Sequence, residues 1–435
     1  MANILLRAFL SFVVAALVVG VPVARAQAVP LPSQIQNTGI GPSADDELYQ
    51  PVPLLFAASV GIDGPTAMVG IPGYYALDAQ GNFDPSKRGR VGVYTRSADG
   101  STWTRTGTLA ANDLSSNENL FGDALALHGS HVAVASEGAL RIFTQSGTSW
   151  TQTATILAPA GSSTDYQPPV IVAVVAFDGQ YLVVGVETRP TINITIDSLG
   201  IYSVDAGGSA QFLYSLTPPT NGEGDQPYIS SVAVENGTLI IGGGIFDSVS
   251  SANHPGVWVY SSKAAQPLVP QFLEPADLTE NSEFGLSLAI SNQTILVGAP
   301  NQDVYLDPVS FCVRGGAVYM FAPGPGGWTQ TQKIAQPGGT GTCEGQAGFG
   351  TGVGFNQYGA LLSAPYSNNN FATILGGTDI FTWQGNQLVY QLFLPNIAGN
   401  SLAVSGAEAI VGTQQEAAQY GEYDFANILT LAPTP

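Results

Sequence analysis

The chain has 435 residues and a formal net charge of -20, with 10% charged residues but 52 Gly, 29 Pro and 17 Tyr. With 12 Lys and Arg in all, it lacks the clustered bases that phosphate contacts need, which excludes a nucleic-acid partner, and the same charge argues against an anionic membrane surface. The Gly, Pro and Tyr content, with no helical period beyond the first thirty or so residues, points to short strands and tight turns rather than amphipathic helices.

Taking the chain in order, Arg7 precedes an apolar run over residues 8–21 that ends in small residues at Ala24, Ala26 and Ala28. This is the layout of an export signal. The run is short for a bilayer span and is closed by Pro22 and Arg25. Residues 1–28 are therefore expected to be removed, leaving 29–435 as one soluble domain with no membrane insertion. Two basic residues leave with the signal, so the mature chain carries 10 Lys and Arg against 32 Asp and Glu. The mature protein is expected outside the cytoplasm (secreted, periplasmic or at the cell surface) and is read as a monomer.

The clearest unit lies further on, over residues 284–334, where four runs alternate apolar and polar residues at period two and each closes on Gly, Pro or Asn. That is a four-stranded antiparallel meander. Used as a template, it finds seven copies, with inner turns at Asp63-Gly64, His128-Gly129, Asp178-Gly179, Glu235-Asn236, Ser291-Asn292, Asn356-Gln357 and Ser405-Gly406. Gly and Asn at the second position suit a type I′ hairpin, and Gln357 is the one misfit. The seventh copy stops after its third strand, whereas residues 29–37 precede the first copy unassigned. They are expected to supply the missing outer strand and close the ring, with 29–50 completing the last blade. Closed radial repetition of this unit is an all-β, seven-bladed β-propeller.

Within the copies, Phe284-Gly285, Val297-Gly298-Ala299-Pro300 and Gly316-Ala317-Val318-Tyr319-Met320-Phe321 resemble the FG-GAP repeat of integrin α propellers and of many exported bacterial proteins. Phe121-Gly122 and Phe349-Gly350 with Ser363-Ala364-Pro365 are further matches. The resemblance implies an adhesion or binding role. It does not carry calcium with it, because the inner turns are too short to wrap an ion with several carboxylates, and no cofactor is expected.

In a propeller the loops from strand two to strand three share one face with the connections between blades. Those loops are long here, over residues 72–89, 187–198, 245–255, 301–314, 366–375 and 413–426. They supply the candidate ligand-binding residues Tyr74, Tyr75, Tyr305, Phe311, Tyr366, Phe371, Tyr420 and Tyr423, since rings on a rigid scaffold give contact area at low entropic cost. The competing reading is that these rings pack their own loops onto the blades. Cys312 and Cys343 fall on this face at adjacent blades, and in an exported protein they are expected to pair, closing a loop worth about 3 kcal/mol. Among possible cation ligands, Asn301, Asp303 and Asp307 are the strongest set.

Catalytic signatures are sparse. His128, His131 and His254 are spread over turns and blades that give no triad geometry. The segment 97–103 approaches the Asp-box of sialidase-like propellers but is one residue short and reads as an ordinary hairpin turn. The favoured function is a non-enzymatic binding or adhesion module for a protein or glycan through the long-loop face. The alternative is a polysaccharide-acting enzyme, of glycoside hydrolase or lyase type, using paired carboxylates on that face.

Overall fold

The computed structural model describes residues 37–40, 56–77, 83–114, 120–157, 170–187, 196–220, 225–247, 252–261, 269–279, 281–305, 311–312, 314–337, 348–366, 375–395, 397, 399, 401–413 and 425–430. Among these there is no helix, and so none long and apolar enough to cross a membrane. The signal segment, Asp307, Cys343, Phe371, Tyr420 and Tyr423 lie outside the described residues.

Seven four-stranded antiparallel blades form a ring. Blade five shows the plan: Ser287–Ser291 pairs Thr294–Ala299, which pairs Ala317–Gly324, which pairs Gly327–Ala335. The innermost strands are Val60–Asp63, Leu125–His128, Val170–Phe177, Gln226–Glu235, Ser287–Ser291, Gly352–Asn356 and Ser401–Ser405. Each touches the next, and the last touches the first. Blade four departs most from the plan, with an outer strand of only three residues, Gln271–Leu273.

The ring closes with an N-terminal strand, Asn37–Ile40, paired antiparallel to Phe425–Thr430 in register Asn37↔Leu429 to Ile40↔Ala426. The strand lies within the 29–50 segment expected to complete blade seven and meets the expected 29–37 at Asn37. Ile40 offers a side chain to the core between blades seven and one, beside Phe56, Ile410 and Ile428.

The residues that resembled a signature are the joints between blades. Phe121, Phe284 and Phe349 are buried, and the glycine after each takes a positive φ, 97° at Gly122, 92° at Gly285 and 93° at Gly350. That turn aims the glycine carbonyl back at the preceding blade, where Ser59, Ser231 and Ser287 each donate to it at 2.7 Å. The same carbonyl lies against a glycine of that blade's second strand. A Cβ on Gly70, Gly242 or Gly298 would sit 2.0–2.1 Å from it, so the position admits no side chain. Blade one does this without glycine: Phe56 is followed by Ala57 at φ 61°, whose carbonyl faces Gly412 of blade seven. The apolar cores form across these joints. Between blades four and five, Ile240, Val257 and Val259 meet Ile295, Val297, Tyr319 and Phe321 around Phe284.

Candidate functional site

The two faces of the ring are built differently. On the hairpin face, the first residue of every inner turn but that of blade five reaches toward the turn of the next blade. Asp63 accepts from Gly129 N at 2.6 Å, Asp178 from Gly237 N at 3.4 Å and Glu235 from Asn292 N at 3.2 Å. Asn356 Nδ2 donates to the Gly406 carbonyl at 2.5 Å, and Ser405 Oγ accepts from Gly64 N at 3.3 Å while donating to Asp63 at 2.9 Å. His128 makes the corresponding contact by packing its ring over Gly179, edge-on to Phe177 at 6.0 Å. The acidic side chains of these turns are thus spent on backbone N–H groups, which otherwise need water.

The turn types correct the type I′ expectation. Asn236-Gly237 and Asn292-Gln293 have positive φ at both positions, as type I′ requires. At Gly64, Gly129 and Gly406 the first position alone is positive, the type II′ pattern, because Pro65 cannot follow into positive φ and Ser130 and Ala407 do not. Gln357 fits by another route: Asn356 Oδ1 accepts from Tyr358 N at 2.9 Å and folds the turn around its own side chain.

On the long-loop face, the loops continue the blade ladders outward. In blade one, Tyr75 pairs Arg88 and Leu77 pairs Phe83; in blade four, Phe246 pairs Asn253 and Asp247 pairs Ala252. In blade five a separate two-stranded hairpin pairs Val304 with Cys312 and Tyr305 with Phe311, and in blade six Tyr366 pairs Leu375. Tyr75, Tyr305, Phe311 and Tyr366 are therefore held on ordered strands of this rim. Tyr74 is not available there: it is 9% exposed, packs in the core shared with blade seven, and lies under the Arg90 guanidinium carbon, 3.0 Å from the ring centroid. For Tyr74 the packing alternative holds.

The root of the blade-five loop is organised by Gln302, which is fully buried. Its Nε2 donates to the carbonyls of Asp277 at 3.0 Å and Asp303 at 2.8 Å, and its Oε1 accepts from Thr279 N at 3.2 Å. Asp303 accepts from Arg314 N at 2.7 Å, so this carboxylate, expected as a possible cation ligand, caps the loop instead. Asp277 pairs with Lys333 at 2.5 Å and accepts from Tyr319 OH at 3.3 Å. Among the described residues no group of three or more His, Cys, Asp and Glu side chains converges.

One acid stands apart. Glu283 immediately precedes the Phe284-Gly285 joint, at the loop-face start of the innermost strand of blade five, with φ 55°. Burial pushes its carboxyl above the usual range, and Arg314 pulls it partly back. Tyr228, from the neighbouring inner strand of blade four, is pushed up to about 12 by burial first and by the charge of Glu283 second. A carboxyl with a raised pKa is a candidate proton donor, although no opposed carboxylate accompanies it among the described residues. Asp113, by contrast, is structural. Burial pulls its carboxyl up, but hydrogen bonds from Gln152, Arg141 and Thr155 outweigh that, and it neutralises the fully buried Arg141 at 2.5 Å.

Sequence reasoning missed a cleft of about 610 Å³ on the hairpin face between blades five and six, lined by Asn292, Gln293, Asn356, Gln357, Trp383 and Asn386 among others. It opens at the boundary where, among the described residues, the turns are joined neither by a hydrogen bond nor by ring packing of the kind His128 makes on Gly179. There Ser291 Oγ accepts from Asn292 of its own turn at 3.5 Å instead of reaching blade six.

No family model matches the sequence, and no curated protein matches it. Solved structures do resemble the fold. A Lactobacillus plantarum protein has a TM-score of 0.48 at 13% identity, covering 85% of this chain and 95% of its own. A candidate 6-phosphogluconolactonase from Bacteroides fragilis has a TM-score of 0.44 at 12% identity, covering 78% and 85%. Another, from Bacteroides uniformis, has a TM-score of 0.43 at 11% identity, covering 78% and 87%. At these values nothing that those proteins are named for passes to this chain. The class defined by the fold itself is that of seven-bladed β-propellers with four-stranded blades.

Proposed function

We propose that the protein is an exported, non-enzymatic propeller of FG-GAP type that binds an extracellular or periplasmic protein or glycan through its long-loop face. The observation that carries this reading is the rim of ladder extensions, which holds Tyr75, Tyr305, Phe311 and Tyr366 at paired strand positions. Aromatic residues at paired strand positions bring contact area at low entropic cost, and several blades together offer the breadth a macromolecular ligand needs. A Cys312–Cys343 disulfide would tie the blade-five hairpin to the following blade connection and stiffen this rim. The test is an array of extracellular proteins and glycans probed with the mature domain, with and without chelator. Binding is expected to survive chelation and to weaken at least tenfold in a Tyr75→Ala, Tyr305→Ala, Tyr366→Ala variant; unchanged binding in that variant would reject the rim as the site.

A second reading has one specific foothold, the raised carboxyl of Glu283 beside Tyr228. In a polysaccharide-acting enzyme it would serve as the general acid. Release of reducing ends from a polysaccharide panel, abolished by Glu283→Gln, would favour this reading, and no release from any substrate would remove it.

A further inference from the structure

The cleft between blades five and six has the chemistry of a binding site and no assigned role. Its lining contains no charged side chain. Asn292, Gln293, Gln357 and Asn386 bring side-chain amides, Ser291, Thr294 and Thr331 bring hydroxyls, and Phe355, Met320 and Trp383 form the apolar wall. The amides of Gln293, Gln357 and Asn386 have no protein partner among the described residues. The indole of Trp383 is oriented from behind. Its Nε1 donates to the Asn356 carbonyl at 2.7 Å and its ring packs on Phe355 with centroids 6.2 Å apart, so the cleft receives the ring rather than the N–H.

The opening is fixed in shape. Toward the periphery, Gln332 of blade five clamps the backbone of Leu388 in blade six, donating to its carbonyl at 2.8 Å and accepting from its N–H at 2.9 Å. Toward the other face, Ser287 donates to the Gly350 carbonyl at 2.7 Å, against Gly298. The two blades are thus pinned at the outer strands and at the joint, and part only at their turns. A preformed cavity with a few convergent polar groups needs little ordering when it is filled.

We propose that this cleft binds a neutral saccharide, at a site separate from the long-loop face. Each amide both donates and accepts, which matches hydroxyl groups that do the same. An aromatic wall gives an apolar surface for the C–H face of a sugar ring. Anionic ligands are disfavoured, because the lining offers no cation and the chain carries a formal charge of -20.

The test uses the mature protein and a panel of neutral and uronic-acid-containing oligosaccharides (cello-, xylo-, malto- and oligogalacturonide series), with tryptophan fluorescence and calorimetry as readouts. At least one neutral series is expected to bind, and the oligogalacturonides are not. Trp383→Ala should weaken that binding at least tenfold. Because Trp383 also supports its turn, the exposed Asn386→Ala and Gln357→Glu variants provide the check, each expected to weaken binding with the melting temperature unchanged. The Tyr305→Ala, Tyr366→Ala variant separates this proposal from the loop-face reading. Neutral binding lost there and retained in the cleft variants would overturn the cleft and leave the loop face standing. Binding lost in the cleft variants and retained in the loop variant would establish it. No binding by any neutral series, or binding confined to the acidic one, would also overturn it.

Discussion

The boundary between blades seven and one and the boundary between blades five and six follow one plan and end differently at the hairpin face. At the first, Ser405 bonds both Asp63 and Gly64, and Arg96 pairs with the buried Glu408 at 2.8 Å. At the second, the turns make no hydrogen bond to each other among the described residues, and a cleft of about 610 Å³ opens. The two ends of the chain meet inside blade seven, where Asn37–Ile40 pairs with Phe425–Thr430, so the chain passes from an outer strand to the next inner strand at both boundaries. The boundary between blades five and six is pinned deeper by Gln332 and Ser287, so it tolerates an open mouth. Side-chain reach decides which outcome occurs. Asp, Glu and Asn span from one turn to the next, and Ser405 succeeds because Asp63 comes back to meet it, whereas Ser291 bonds within its own turn.

Several substitutions would break or sharpen this contrast. The largest effect is expected at the joint that pins blades five and six below the cleft: Gly298→Ala places a methyl 2.0 Å from the Gly350 carbonyl oxygen and should cost about 3 kcal/mol or more in a urea titration. Gly326→Ala, which meets nothing within 4 Å, is the control and should be near neutral. At the seam between blades seven and one, Arg96→Ala strands the Glu408 carboxylate. Since Arg96 is 36% exposed, the cost should be about 2 kcal/mol, below that of a fully buried pair. Adding Glu408→Gln should recover part of that loss.

The same seam carries a pH dependence. Burial raises the Glu408 carboxyl above 4.5 in the folded state, with Arg96 opposing. A raised carboxyl favours the protonated folded form, so its contribution is complete below the unfolded value and is lost as pH rises through the folded one. Unfolding measured from pH 4 toward neutrality should show that loss in the wild type and not in Glu408→Gln; equal profiles would contradict the assignment.

A smaller effect separates the turns themselves. Asp63→Ala removes two links and should cost about 1.5 kcal/mol, whereas Ser291→Ala should cost about 0.5 kcal/mol or less, both read from denaturant midpoints. The smallest effect is local. Asp99, held by the hydroxyls of Ser97 and Ser101 and by Ser101 N, should titrate at about 2 by NMR, and the turn it caps should loosen progressively as pH falls from 3.8 through that value.

Much of the fold was legible because its determinants are local. Period-two strands marked every blade, Gly or Asn at the inner turn marked six of the seven, and the missing outer strand of the seventh copy announced the closure. The resemblance of Phe284-Gly285 and Gly298 to a known repeat was legible too, although its cause, one carbonyl set against one glycine, exists only between blades. The site was far less readable. Tyr74 and Tyr75 are adjacent in sequence, yet the first is buried under Arg90, and burial of that kind is decided by packing across blades. The cleft brings Asn292 together with Asn356 and Asn386, each an ordinary turn residue in its own hairpin. Its one trace in the sequence was Gln357, the residue that departed from the Gly and Asn pattern of the inner turns.

The central claim is that, among the described residues, the turns are joined at the other boundaries, by hydrogen bonds or, between blades two and three, by the His128 ring, and stand open between blades five and six; hydrogen exchange tests it directly. The turn amides of Gly64, Gly129, Gly237 and Asn292 are bonded to the preceding blade and should exchange at least about tenfold more slowly than the amide of Gln357. Gln357 exchanging as slowly as the other four would mean that the boundary is closed, and the account of the cleft would fail with it.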